Sequence, residues 1–265
     1  MKEIDIIIFA GQSNMQGQAE GRYLDGAVCG AYEYRYLTDS LQPLTDPVGE
    51  NIRADGSEGY PPLTSGVPLQ QWLADNALGQ ACYGNACLAP AACAAVHAAT
   101  GREVLAIHAA KGSTEIHQWL PGTDGYAALL RKVKAGIRKA GETHTVRSVS
   151  LMWLQGESDS IFHCTRETYA ERLVALGEAF AAEFGLAHFG IIRVGHFCKT
   201  DWDEGIIAAQ EDVCASHPLF TMLTRLTAEL EQDPANMNPD VGGHFGAVGL
   251  EKLGRAAGEA LAAII

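Results

Sequence analysis

The sequence predicts one α/β domain: a three-layer α/β/α sandwich built on a parallel five-stranded sheet. Short apolar runs of strand length recur along the chain, and segments with a helical period lie between them. Parallel strands covered on both faces read in this way. The length of 265 residues is long for one domain and short for two, and no internal repeat or low-complexity linker divides it.

In chain order, strands are predicted at 4–10, 104–109, 149–154, 189–194 and 219–223, each an apolar run bounded by polar or turn-forming residues. A helix over 124–141 follows from Tyr126, Leu129, Leu130, Val133 and Ile137 on one stripe, with Arg131, Lys132, Lys134 and Lys139 largely off it. A helix over 166–184 follows from Tyr169, Leu173, Leu176, Phe180 and Phe184, behind Thr165 as its N-cap. The Ala-rich stretch 88–100 and the tail 247–264 complete the helices. Residues 36–84, with Pro43, Pro47, Pro61, Pro62 and Pro68, break the alternation and read as a long loop insertion. Such a loop is either a surface decoration or a wall over a site at the carboxyl ends of the strands.

Charge and composition exclude several functions. The formal net charge of −13 supplies no basic footprint for a phosphate backbone or a polybasic membrane contact. The start, Met1-Lys2-Glu3-Ile4-Asp5, places acids where a signal peptide carries basic residues, and the apolar run that follows is too short to span a membrane. Seven scattered cysteines (29, 82, 87, 93, 164, 198 and 214) without a CxxC pair read as reduced, structural thiols. A cytoplasmic protein is the default, although a chain trimmed of a secretory leader would look the same. His108, His117, His163, His188 and His196 lack the spacing and acidic company of a metal centre, so neither metal nor other cofactor is expected.

Chemistry concentrates at predicted strand ends. The first strand runs into Gly11-Gln12-Ser13-Asn14-Met15-Gln16-Gly17, which can expose the Ser13 hydroxyl at the sheet edge. Serine needs a general base near neutral pH, and that base needs an orienting group. Asn238-Pro239-Asp240-Val241-Gly242-Gly243-His244 offers an Asp–His pair just before the last helix. Two more strand ends carry Lys111-Gly112-Ser113-Thr114, with Trp119 shortly after, and Gln155-Gly156-Glu157-Ser158-Asp159. A glycine N–H and a glutamine amide are donors of the kind a tetrahedral oxyanion requires.

Together, Gly11-Gln12-Ser13-Asn14-Met15, Gly112-Ser113-Thr114 with Trp119, Trp153-Leu154-Gln155-Gly156-Glu157 and the closing Asp–His loop resemble the SGNH hydrolase superfamily. More closely they resemble its sialate O-acetylesterase and carbohydrate esterase family 6 branch, in order over nearly the whole chain. The resemblance implies a flavodoxin-like fold and metal-free removal of acetyl groups from small or oligosaccharide acetyl esters. It implies Ser13 as nucleophile, His244 as general base, and Ser13 N–H, Gly112 N–H and the Gln155 amide as oxyanion donors. Gln12, Asn14 and Glu157 would support them. The branch carries Asp-x-x-His, whereas Val241 stands three residues before His244, and the aspartate, Asp240, stands four before. The acid is therefore Asp240, if the glycine pair absorbs the extra residue; otherwise the acid is missing, or Glu157 or Asp159 substitutes for it. Trp119, Trp202, Tyr60 and Lys111 are candidates for sugar contact, while Trp153 reads as core. Lys111 and Arg193 are the nearest cations for an anionic sugar, and the acidic composition favours neutral acetylated sugars. The alternatives are an SGNH lipase or thioesterase of other acyl specificity, and an inactive relative that binds acetylated glycans.

Overall fold

A computed structural model describes residues 1–19, 26–36, 38–46, 48 and 86–265. Its strands are β1 (Glu3–Gly11), β2 (Ala31–Arg35), β3 (Ser40–Pro43), β4 (Glu103–Ala110), β5 (Thr145–Leu154), β6 (His188–Ile192) and β7 (Phe220–Thr224). They form one sheet in the order β3-β2-β4-β1-β5-β6-β7. The five predicted strands are contiguous and mutually parallel within it, as β4-β1-β5-β6-β7.

The sheet has seven strands rather than five. β2 adds in parallel to β4, and β3 closes that edge antiparallel to β2. Both are short and mix polar and apolar residues, and the edge strand β3 ends on Pro43, which an edge tolerates because its N–H side need not pair. β3 lies inside the stretch read as loop; residues 37, 47 and 49–85 of that stretch, Tyr60 and Cys82 among them, lie outside the described residues. The other six cysteines are unpaired.

The central strand β1 is almost wholly apolar because both its faces are covered, and the run from Ile4 to Ala10 is fully buried. The one charge in this run, Asp5, is compensated by Arg102 Nε at 2.6 Å and the Ser148 hydroxyl at 2.7 Å.

The helices are α1 (Ser13–Gln16), α2 (Ala89–Thr100), α3 (Asp124–Gly141), α4 (Glu157–Ile161), α5 (Arg166–Phe184), α6 (Asp201–Ser216), α7 (Thr227–Leu230) and α8 (Ala247–Ala262). The Thr123 and Thr165 hydroxyls cap α3 and α5 by accepting from Tyr126 N and Thr168 N. On α3 the predicted stripe is buried or half-buried, but Lys132 is buried with it rather than lying off the stripe. α2 and α8 pack on each other, as do α5 and α6.

From β1 the chain builds first towards β2 and β4, then crosses to β5, β6 and β7 on the other side. β1 is therefore a topological switch point, and ligands of open α/β sheets bind at the carboxyl ends of strands there. Gly11, the last residue of β1, pairs with Ala110 on β4 and Leu154 on β5. Three loops, beginning at residues 12, 111 and 155, are thereby brought to one place.

Candidate active site

Ser13 owes its position to the end of β1. Gly11 has φ +140°, and a Cβ there would lie 2.0 Å from Leu154 O, so only glycine lets the chain turn against β5. The turn is locked by Gln12 N donating to Leu154 O (2.9 Å) and Lys111 N donating to Gly11 O (2.9 Å). The buried Gln12 side chain accepts from Ser158 N (3.1 Å) and Gly156 N (3.3 Å), tying the Ser13 loop to the loop after β5.

His244 faces Ser13 from the other side, its Nε2 2.8 Å from Ser13 Oγ. Its Nδ1 lies 2.9 Å from the carbonyl oxygen of Gly242. A carbonyl only accepts, so Nδ1 carries the proton and Nε2 presents a lone pair to the serine hydroxyl. The Phe197 ring meets the imidazole edge-on at 5.8 Å.

Asp240 does not take the orienting role expected of it. It is exposed, its N–H donates to Asn238 Oδ1 at 2.9 Å, and Gly242 O meets Nδ1 instead. The physical reason is the extra residue. His244 N donates to Val241 O (3.3 Å), closing a bend with Gly243 at φ +74°, and the bend turns a backbone carbonyl to the ring. Glu157 and Asp159, the other two candidates, make no hydrogen bond to His244 either; their partners are described below.

The loop bearing His244 is fastened to α1 by side chains. Asn14 Oδ1 accepts from Phe245 N (3.1 Å), while Asn14 Nδ2 donates to Glu157 Oε1 (2.9 Å). Asn238 N donates to His244 O (2.8 Å), and Asn238 Nδ2 donates to Gln18 O (2.5 Å). Sequence reasoning missed Asn238, yet Asn-Pro is a turn signal in which the asparagine side chain accepts from a backbone N–H two residues on.

Of the expected oxyanion donors, Gly112 lies against the nucleophile: a Cβ on it would stand 3.5 Å from Ser13 Cβ. Its N–H donates to Gln16 Oε1 at 2.7 Å. Gln155 does not face the site. It is fully buried, and its amide nitrogen donates to Thr114 O (2.8 Å) and Asp159 Oδ2 (2.5 Å). Its Oε1 accepts from Tyr169 OH at 3.0 Å, so the side chain braces the floor of the site. Trp119 is likewise no sugar platform: it is buried, donates from Nε1 to Thr114 Oγ1 (3.0 Å) and packs edge-on to the buried Trp153. Lys111 is half-buried at the end of β4, and Arg193 donates to Glu211 at 3.2 Å. Trp202 is exposed and stacks on His163 at 4.7 Å.

Two acids sit beneath these loops. Burial raises the Glu157 pKa above the usual carboxylate range, and its Oε2 has no hydrogen-bond partner. Burial likewise pushes Asp159 up to about 6, against the opposing hydrogen bonds from Gln155 and Ile116 N. Among the described residues no group of three His, Cys, Asp or Glu side chains could hold a metal ion, and no helix is long and apolar enough to cross a membrane.

Solved structures share this fold. A protein of Arabidopsis thaliana aligns over 98% of this chain and 99% of its own with a TM-score of 0.64 at 18% identity. NanS aligns over 98% and 97% with a TM-score of 0.60 at 14% identity. A carbohydrate acetylesterase of Xanthomonas citri aligns over 98% of this chain and 56% of its own, with a TM-score of 0.55 at 15% identity. No curated protein matches the chain significantly. Residues 64–263 match the family described as carbohydrate esterase, sialic acid-specific acetylesterase. The chain belongs to this sialic acid-specific acetylesterase family of carbohydrate esterases and is a carboxylic ester hydrolase.

Proposed function

We propose that the chain is a serine esterase that removes O-acetyl groups from carbohydrates through an acetyl-enzyme, acting as a single SGNH domain over residues 1–265. The observation that carries the reading is the 2.8 Å contact between His244 Nε2 and Ser13 Oγ at the sheet's switch point. In the first half, Nε2 takes the serine proton as Oγ attacks the acetyl carbonyl carbon. The tetrahedral oxyanion is held by the N–H groups of Ser13 and Gly112, the latter once Gln16 Oε1 has given way. Such donors, aimed at charge that forms only in the transition state, are worth about 3 kcal/mol each. Collapse expels the sugar alkoxide, which receives the proton from Nε2, and Ser13 is left acetylated. In the second half, water loses a proton to Nε2, attacks the acetyl carbon and releases acetate, and the proton returns to Ser13 Oγ.

Gly242 O takes the place of the triad carboxylate. It fixes the tautomer and the ring direction, though as a neutral dipole it stabilises the imidazolium less than an aspartate would. An alkyl acetate makes smaller demands on that stabilisation than an amide. Acetate release from p-nitrophenyl acetate and acetylated xylo-oligosaccharide tests the reading. Ser13→Ala should lower it by at least about a thousandfold with the thermal transition unchanged, and undiminished release by that variant would overturn the reading.

A further inference from the structure

Beside the turn that carries His244 lies a cavity of about 730 Å³, within the range of small-molecule sites. Asn14, next to the nucleophile, and Gly242, Gly243 and Phe245, around the base, form part of its wall. It therefore adjoins the reacting pair, and what it binds bears on which ester is presented there.

The polar lining is acidic. Glu157, Asp201, Glu204 and Glu231 contribute four carboxylates, against His196 and Lys199 as the cationic side chains. His196 is already engaged: Nδ1 lies 2.6 Å from Glu231 Oε1 and Nε2 lies 2.9 Å from Glu204 Oε1. That pairing, with the Glu231 hydrogen bond foremost, raises its pKa. Glu157 is only 4% exposed and its Oε2 lacks a donor, a cost that an incoming hydroxyl would relieve. Among the described residues no arginine, whose planar fork pairs best with a carboxylate, lines the cavity. Carboxylates suit sugar hydroxyls, which donate to them.

We infer that this cavity is a subsite for a sugar that bears hydroxyls and no carboxylate, so that this member of the family deacetylates uncharged sugars in preference to sialic acids. The inference rests on the proposed Ser13 esterase. Glu157 and Glu231 accept from the sugar hydroxyls, and the exposed acids Asp201 and Glu204 repel a carboxylate at the entrance.

The test compares kcat/KM of the full chain on an acetylated methyl xyloside and on 9-O-acetyl-N-acetylneuraminic acid. The xyloside should lead by at least about tenfold, and raising the ionic strength should narrow the gap. Glu204→Gln and Asp201→Asn should each narrow it by about threefold through a gain on the anionic substrate. Both side chains are exposed, so neither change threatens folding. Equal or better turnover of the sialic acid ester, or a gap that neither variant nor salt changes, would overturn the subsite while Ser13→Ala still abolished release. Retained release by Ser13→Ala would instead overturn the esterase reading itself.

Discussion

The two loops that meet at the Ser13 hydroxyl are held by different means. The nucleophile loop hangs mainly from main-chain hydrogen bonds at the ends of β1, β4 and β5, where the sheet register sets its place, with the buried Gln12 side chain as a further tie. The base loop has no strand on which to hang. It is a bend around Gly243, closed by main-chain bonds within the loop and tied to the segment after β1 by the side chains of Asn14 and Asn238. A change in the first region should therefore be felt in stability, and a change in the second in turnover.

The largest effect is expected where the sheet does the holding. Gly11→Ala puts a Cβ 2.0 Å from Leu154 O in a backbone conformation that L residues rarely adopt. A loss of more than about 4 kcal/mol of folding stability is expected, of the size reserved for a strained or overpacked core position. Gly243→Ala also meets a positive φ, but its Cβ would press on the Phe197 ring, a side chain at the edge of a cavity that can yield. It should cost about 1–3 kcal/mol and lower kcat more than its instability explains. Urea denaturation beside acetate release checks both, and equal stability losses would remove the contrast.

The fastening of the base loop comes next. Asn14→Ala removes the acceptor of Phe245 N and leaves Glu157 Oε1 without its donor. A shift of the imidazole of the order of an ångström costs about a hundredfold, so kcat should fall by about 10- to 100-fold with KM nearly constant. Glu157→Gln keeps an acceptor for Asn14 Nδ2 and nearly the same shape. On p-nitrophenyl acetate, which carries no sugar, it should retain most of kcat, and a loss there as large as that of Asn14→Ala would give Glu157 a role in the reaction itself.

The same contrast explains what could be read in the sequence. The five parallel strands were legible as short apolar runs bounded by polar or turn-forming residues, and Ser13 because glycines mark the end of the strand that carries it. α6 escapes the periodic pattern because its buried face carries Asp203 and Gln210, which accept hydrogen bonds from Cys198 N and Val194 N. β2 and β3 are short strands of mixed polarity with no such run. The pairing of Ser13 with His244 was legible from residue types. The partner of His244 Nδ1 was not, because a backbone carbonyl has no letter in a sequence. Gln155 and Trp119 were misplaced for a related reason: a polar or aromatic residue after a strand can point up to the ligand or down to the floor, and only packing decides.

A smaller effect concerns the oxyanion donor. Gln16 Oε1 accepts from Gly112 N in the resting site, a bond that substrate must displace. A typical net hydrogen bond of 0.5–1.5 kcal/mol means that Gln16→Ala should raise kcat/KM on p-nitrophenyl acetate by about two- to tenfold. A fall in kcat/KM would make Gln16 part of the machinery that holds the oxyanion.

The smallest effect is expected at the residue that the motif singles out. In a triad that depends on its aspartate, the Asn replacement lowers kcat by about 10⁴, since it leaves the imidazole in the wrong tautomer. Here Gly242 O sets the tautomer, and among the described residues the hydrogen bond Asp240 makes is from its own N–H to Asn238. Asp240→Asn keeps that N–H and the turn it supports, so kcat should stay within about twofold of wild type and the pH–rate profile should not move. Asn238→Ala removes the acceptor of the Asp240 and Val241 N–H groups together with the tie to Gln18 O, and should lower kcat well below that of Asp240→Asn. A large loss in Asp240→Asn would mean that the bend opens during turnover and hands Nδ1 from the carbonyl to the carboxylate. The base loop would then be a moving part, and the contrast with the fixed nucleophile loop would be one of motion as well as of fastening.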